Sequence, residues 1–291
     1  MTVKEKAYAK INLHLDVVGR REDGFHNIRS VMQTVSLFDN LTVEAVESDK
    51  TEVTLSIGGV SGLPVGEDNL IVRAALAYLS CAEITARVSV LLEKRIPVSA
   101  GLAGGSADAA ATLRALNRIF DNRLSTSKLY SLALALGSDV PFCLYGGTAL
   151  CEGRGELITP VPSLRTLYLV IAKGEELVST PRAYGALDRI YDGFADGATH
   201  AEKLLGALER YLNGVGMPTK LYNIFEQTLS ESSEVNRIKA LLSEHGAKLT
   251  LMSGSGPSVF GIFDSNSDRS SAVDALRACG YFAAEAESIR I

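Results

Sequence analysis

The sequence predicts an α+β fold, and three patterns predict it. Residues 6–17 alternate, with Ile11, Leu13 and Leu15 to one side and Asn12, His14 and Asp16 to the other, the two-residue period of a half-buried strand. The alanine-rich run after Gly105 carries Leu113, Leu116, Ile119 and Phe120 at helical spacing, a stripe that faces a core. From residue 249 onward the chain reads strand, glycine-rich turn, strand, helix, strand. Such a β-β-α-β run fits a ferredoxin-like α/β sandwich with helices on one sheet face.

The polar run Arg20-Arg21-Glu22-Asp23-Gly24 ends the first strand in a turn. Residues 41–47 and 51–57 read as the two strands of a hairpin, 69–79 as a helix and 86–92 as a β-branched strand. A helix over 127–136 stops at Gly137, ahead of Ser138-Asp139-Val140-Pro141. The composition shifts near Val161-Pro162-Ser163, which divides the chain into residues 1–160 and 161–291. A buried strand over 166–172 follows, then helical patterns over 180–191, 200–212 and 232–245. The end reads strand 249–252, turn 253–257, strand 258–263, helix 267–279 and strand 282–287.

With 46% hydrophobic and 22% charged residues, the chain has the make-up of a globular protein with a sizeable core. A formal charge of −5 argues against a general nucleic-acid binder. Cys81, Cys143, Cys151 and Cys279 are scattered and form no C-x-x-C pair, which fits reduced thiols and a cytoplasmic location. Met1–Lys6 is polar and lacks the apolar core of a signal peptide, and no apolar run is long enough to cross a bilayer. His14, His26, His200 and His245 show no metal-ligand spacing, and no residue is assigned as a metal ligand. Nothing in the pattern chooses between a monomer and a homodimer.

The stretch Pro97-Val98-Ser99-Ala100-Gly101-Leu102-Ala103-Gly104-Gly105-Ser106-Ala107-Asp108 carries the most chemistry. Glycines let backbone approach a ligand closely, and a helix start offers unpaired N–H groups and a positive dipole end. Together they suit the phosphates of a nucleotide. The segment is neither a Walker A loop nor a dinucleotide fingerprint. Ser106 falls at an N-cap or first-turn position, where its hydroxyl caps the helix or meets a phosphate or metal, and Asp108 falls in the first turn.

Four other segments bear groups of interest. Lys10 and Asn12 share the polar face of the first strand, where Lys10 is either a solvated lysine or a working cation. Phe25-His26 sets a stacking ring beside a hydrogen-bonding imidazole, a pair that suits a flat heterocycle or, separately, a core ring and a surface histidine. Asp139, between a helix end and a proline, is either an Asx-turn residue or a base. Ser253-Gly254-Ser255-Gly256-Pro257-Ser258 is either a tight hairpin or a backbone-lined pocket wall. An alcohol kinase needs a phosphate cradle, a cation at the transferred phosphoryl and a group that orients or deprotonates the hydroxyl. The 97–107 loop, Lys10 and Asp139 supply those three parts.

Taken in order, Ala9-Lys10-Ile11-Asn12-Leu13, Asp23-Gly24-Phe25-His26, the 97–110 loop, Gly137-Ser138-Asp139-Val140-Pro141 and Ser253-Gly254-Ser255-Gly256 resemble a GHMP kinase over nearly the whole chain. The resemblance implies a two-domain GHMP kinase fold, its N-terminal domain containing a part like domain 2 of ribosomal protein S5. It implies transfer of the ATP γ-phosphoryl to an alcohol, with Mg²⁺ accompanying the ATP. The lysine–asparagine strand, the Gly-Phe-His element and Gly-Ser-Asp-Val-Pro-Phe point to members whose small-molecule substrate is a cytidine-diphosphate-linked methylerythritol, with no nucleic acid or membrane as partner. By the same resemblance Asp139 is the catalytic base and Lys10 its partner. Residues Pro97 to Ala107 hold the ATP phosphates, and Asn69 and Lys94 line the adenine pocket. Phe25 and Tyr184 sandwich cytosine, His26 reads its polar edge, and Asn12 contacts the substrate.

Two departures from the family pattern stand out. Phe25 replaces a usual Tyr, which keeps the stacking face and loses the phenolic hydrogen bond, and Ala107 replaces a usual second Ser of the loop. A homoserine- or mevalonate-type kinase is the first rival, and Phe25, His26 and Tyr184 weigh against it because those substrates have no base to stack. A catalytically silent GHMP-fold binding protein is the second, and the retained Lys10 and Asp139 weigh against that.

Overall fold

The computed structural model describes residues 1–161, 166–191, 204–206, 210, 221–264, 266 and 268–289. It divides into two compact units. The first comprises Met1–Ala9, Phe38–Val98 and Ala103–Tyr145, and the second Lys10–Leu37, Ser99–Leu102 and Gly146–Ile291. Strands β1 (Thr2–Arg20) and β2 (His26–Glu47) each contribute residues to both.

In the first unit, β4 (Ala86–Glu93) alternates cleanly, burying Ala86, Val88, Val90 and Leu92 and exposing the residues between. It lies between β3 (Glu52–Gly58), to which it is parallel, and the second half of β2, to which it is antiparallel with Asn40 opposite Glu93 and Glu47 opposite Ala86. The expected hairpin between residues 41–47 and 51–57 is therefore not formed. Alternation fixes which face of a strand is buried but not which neighbour it takes. Here α1 (Leu70–Ala82) supplies the crossover that a parallel β3–β4 pair requires, and β4 takes the middle place. Asn69 caps α1, its Oδ1 accepting the Ile71 N–H at 2.9 Å. Helix α2 (Gly104–Ile119) packs on α1, on α3 (Thr126–Leu136) and on α4 (Val140–Tyr145). The expected stripe holds, with Leu113, Leu116 and Ile119 buried and Phe120 partly so. Ala107, Ala109, Ala110, Ala111 and Ala115 are buried with them, small side chains that let these helices approach closely.

In the second unit, β2 pairs with β5 (Thr148–Gly153) from Ile28 opposite Gly153 to Gln33 opposite Thr148, and β5 pairs with β6 (Leu157–Pro160). The short β8 (Tyr222–Asn223) runs parallel to β1. A separate antiparallel sheet has the order β11-β7-β10-β9, formed by β7 (Tyr168–Lys173), β9 (Leu249–Met252), β10 (Val259–Phe263) and β11 (Phe282–Glu287). Helices α6 (Glu234–Glu244) and α7 (Arg269–Ala278) pack side by side on it. This strand order is the ferredoxin-like one expected from the sequence. Helix α5 (Thr180–Ile190) follows β7. The helical pattern read over 200–212 lies outside the described residues except for 204–206 and 210, and His200 and Val161-Pro162-Ser163 lie outside them except for Val161.

Strand β1 is not half-buried as its alternation suggested. Its polar side is covered too, with Asn12 1%, His14 0% and Asp16 6% exposed. Buried polar groups must be hydrogen-bonded, and the partners of Asn12 build the site described next.

Candidate active site

The 97–107 loop is held by backbone conformations that side chains rarely adopt. Ser99 (φ 51°), Gly101 (φ 72°) and Ala103 (φ 56°) all lie in the left-handed region. For the two non-glycine residues, Ser99 and Ala103, this conformation costs about 1–3 kcal/mol each and persists only where the surroundings impose it. The second unit shows the enforcement. A Cβ on Gly101 would lie 2.2 Å from the Ser253 carbonyl oxygen, and one on Gly254 would lie 3.0 Å from the Gly101 carbonyl oxygen. Residues 99–102 and the 253–258 turn thus touch backbone to backbone. Ser253 Oγ donates to the Gly101 carbonyl at 3.0 Å, and the Ser258 N–H donates to that of Ala100 at 3.3 Å. Asn223 Nδ2 donates to the carbonyls of Met252 and Gly254, both at 2.8 Å, which fixes the turn from its other side.

Lys10 and Asn12 belong to the same network. Lys10 is 4% exposed, so the solvated reading of this lysine is excluded. Its Nζ donates to Asn12 Oδ1 at 2.8 Å, and the Gly254 N–H donates to the same oxygen at 3.0 Å. Asn12 Nδ2 donates to Ser30 Oγ at 2.8 Å, and Ser30 Oγ donates to the His14 carbonyl at 2.6 Å. Both ends of the Asn12 amide are engaged, so the position of the Lys10 ammonium is set by a chain of bonds that ends on the backbone.

In the first unit, α2 begins at Gly104 after an Ala103 N-cap that offers no side-chain hydrogen bond. Its first-turn N–H groups have no intrahelical partners. Ser106 is the third helical residue and half-buried. Asp108 is the fifth and not in the first turn, because the helix starts at the glycines rather than after them. Ala107 is buried, so this position contributes its backbone and its methyl packing.

Asp108 faces inward, 3% exposed, and accepts from Lys94 Nζ at 2.8 Å. Lys94 Nζ also donates to Asp39 Oδ2 at 2.6 Å, and Asp39 is fully buried. Asp39 Oδ1 accepts the backbone N–H groups of Arg95 and, at 2.8 Å, Ile96. Burial pushes the Asp108 carboxyl up to about 7 against the pull of Lys94, and Asp39 adds to the rise. The two carboxylates hold the Lys94 ammonium above its ordinary value although burial acts the other way. The Lys94 side chain, 6% exposed, is thus committed to an ion-pair triad, and the Asn69 side chain to the cap of α1 and to the Pro64 carbonyl.

Asp139 sits in the turn between α3 and α4, half-buried, with its carbonyl accepting the Cys143 N–H of α4 at 3.0 Å. Val140, Pro141 and Phe142 are buried, and this apolar anchor fixes the turn.

Around the first turn of the second unit, His26 and Tyr184 are stacked, centroids 4.7 Å apart and rings 22° from parallel. Tyr184 meets the edge of Phe225 at 4.9 Å. His26 Nε2 is 2.7 Å from Asp188 Oδ1, whose carboxylate also lies 3.8 Å from Arg20. A carboxylate accepts, so Nε2 carries the proton. Phe25 is 51% exposed with the Arg154 guanidinium 4.8 Å over its ring. Sequence reasoning missed Asp39, Ser30, Asp188, Arg154 and Asn223. No local motif marks them, because each acts on a residue distant in the chain.

Among the described residues no group of three or more His, Cys, Asp or Glu is arranged to hold a metal, and no helix is long and apolar enough to cross a membrane.

The chain matches the GHMP kinases N terminal domain over residues 69–147 and the GHMP kinases C terminal family over 200–281. It is 42% identical over 273 residues to a 4-diphosphocytidyl-2-C-methyl-D-erythritol kinase of Caldicellulosiruptor saccharolyticus, covering 94% of this chain and 92% of that one. To the protein of the same name from Alkaliphilus metalliredigens it is 38% identical, again covering 94% and 92%. A crystal structure of 4-(cytidine 5'-diphospho)-2C-methyl-D-erythritol kinase superposes with a TM-score of 0.81 at 34% identity, covering 99% of this chain and 100% of that one. A homoserine kinase from Cytophaga hutchinsonii shares the fold, with a TM-score of 0.75 at 22% identity over 99% of this chain and 94% of that one.

Proposed function

The chain belongs to the GHMP kinase family, among its 4-diphosphocytidyl-2-C-methyl-D-erythritol kinases, and from that premise we propose how its residues carry the reaction. The reaction moves the γ-phosphoryl of ATP to the 2-hydroxyl of 4-diphosphocytidyl-2-C-methyl-D-erythritol, giving the 2-phosphate and ADP, in the non-mevalonate route to isoprenoid precursors. The observation that carries this is identity of 34–42% across nearly the whole chain to kinases of that one substrate.

The 97–107 loop and the uncapped start of α2 hold the ATP phosphates by backbone N–H groups. Mg²⁺ bound with the nucleotide would supply charge neutralisation at the transferred phosphoryl. Asn69 and Lys94 border the adenine pocket through their backbones, since both side chains are otherwise engaged. Asp139 orients the 2-hydroxyl and takes its proton as the bond to phosphorus forms. Lys10 stabilises charge on the moving phosphoryl, and Asn12 holds Lys10 for that task. Phe25 and Tyr184 stack on cytosine and His26 hydrogen-bonds its edge. In this structure His26 lies against one face of Tyr184 and Arg154 against one face of Phe25. A division near residue 160 into an N-terminal and a C-terminal domain belongs to the same reading, supported by the two family matches at 69–147 and 200–281. The enzyme works in the cytoplasm, which its four cysteines, none of them in a disulfide, suit.

Phosphorus NMR of the product tests the reading. A new phosphomonoester at the 2-position beside an intact diphosphate is expected, and phosphate on another hydroxyl would refute the assignment of the acceptor.

A further inference from the structure

A helix that starts on two glycines and has no side-chain cap is poorly anchored, since glycine loses the most backbone freedom on ordering and the missing cap leaves the first turn untied. Yet the proposed role of α2 needs that start fixed and its N–H groups uncommitted. The tie comes from beneath. Lys94 Nζ packs so close to Gly104 that a Cβ there would lie 2.9 Å from it, and Ile96 Cγ2 would lie 3.1 Å away. From that place the ammonium reaches Asp108 one turn into the helix and Asp39 in β2. Asp39 in turn holds the N–H groups of Arg95 and Ile96, the entry to the loop. Entry and helix start are thereby joined through one buried ammonium.

We propose that Asp108 and Asp39, acting through Lys94, are positioning residues for the nucleotide: they replace the helix cap and leave the first-turn N–H groups of α2 for phosphate. This rests on the reading that the 97–107 loop holds ATP. Asp108 Oδ1 is buried with no hydrogen-bond partner among the described residues, and Oδ2 takes the Lys94 ammonium. Its raised proton affinity also lowers the negative charge beneath a site for a polyanion. The charged groups acting on it are Lys94, just after β4, and Asp39 from β2, while α1 brings the apolar Leu70 beside Gly105 at the helix start.

The test is Asp108→Ala, which leaves Lys94 paired with Asp39 and so strands no buried charge. ATP affinity is measured by calorimetry, beside KM for the cytidyl substrate and thermal unfolding. Wild-type binding of ATP establishes the underlying reading, and its absence would remove that reading first. Given wild-type binding, Asp108→Ala weakens ATP at least about tenfold, as loss of positioning does. The cytidyl KM stays within about twofold, and Asp108→Asn, which still accepts from Lys94, restores most of the ATP affinity. Unchanged ATP affinity in Asp108→Ala overturns the proposal. So does an equal loss for both substrates with a lowered melting temperature, or failure of both variants to fold, because the triad would then be structural only.

Discussion

Asn12 Oδ1 accepts the Lys10 ammonium at 2.8 Å and the Gly254 backbone N–H at 3.0 Å, so one side-chain oxygen sets both a cation and a turn. Replacing Asn12 with Leu takes one partner from a buried N–H and one from a buried ammonium, and an unsatisfied buried N–H costs about 1–3 kcal/mol. Asn12→Leu lowers kcat more than it raises either KM, with a lower melting temperature, and Lys10→Ala abolishes most turnover while the protein stays folded. Steady-state kinetics and thermal melts check both.

Asp139→Asn keeps the shape of the turn and removes the proton acceptor. A positioned base is worth about 10²–10⁴-fold. The variant therefore loses turnover on that scale while calorimetry shows ATP binding unchanged. Full turnover in Asp139→Asn would refute its role as base.

Phe25→Ala removes a stacking face worth about 1–3 kcal/mol by analogy with nucleic-acid sites. KM for the cytidyl substrate rises by about tenfold or more, and KM for ATP does not. Equal changes in the two constants would exclude Phe25 from the base pocket.

The Asp108 carboxyl is pushed up from 3.8 to about 7 by burial, so between those values the native state holds a proton that the unfolded chain has released. Linkage then makes this group's contribution to stability fall as pH rises through that window. It is most favourable near pH ~4 and gone above about 7. Asp108→Asn cannot titrate, so its stability relative to wild type rises from pH ~4 to about 8. Parallel unfolding curves for the two proteins over that range would contradict the shift.

The strands Leu249–Met252 and Phe282–Glu287 were legible to the residue because each is a short apolar or alternating run bounded by turn residues. The first half of β2 was not, since Ser30, Gln33 and Thr34 are buried polar residues that break the alternation. Buried polarity also hid the true state of Lys10. A lysine and an asparagine two apart look like a solvated face until Ser30 and Gly254 arrive from elsewhere in the chain. Motif order brought out Asp139 and the glycine loop by resemblance. Asp39 carried no such mark, because its importance lies in backbone N–H groups far along the sequence.

The most direct measurement is ADP release from Mg²⁺-ATP with 4-diphosphocytidyl-2-C-methyl-D-erythritol, homoserine and mevalonate offered separately to the purified protein. ADP formed with the cytidyl compound alone is the expected result. ADP formed with homoserine or mevalonate instead, or with none of the three by folded protein that binds ATP, would contradict the account.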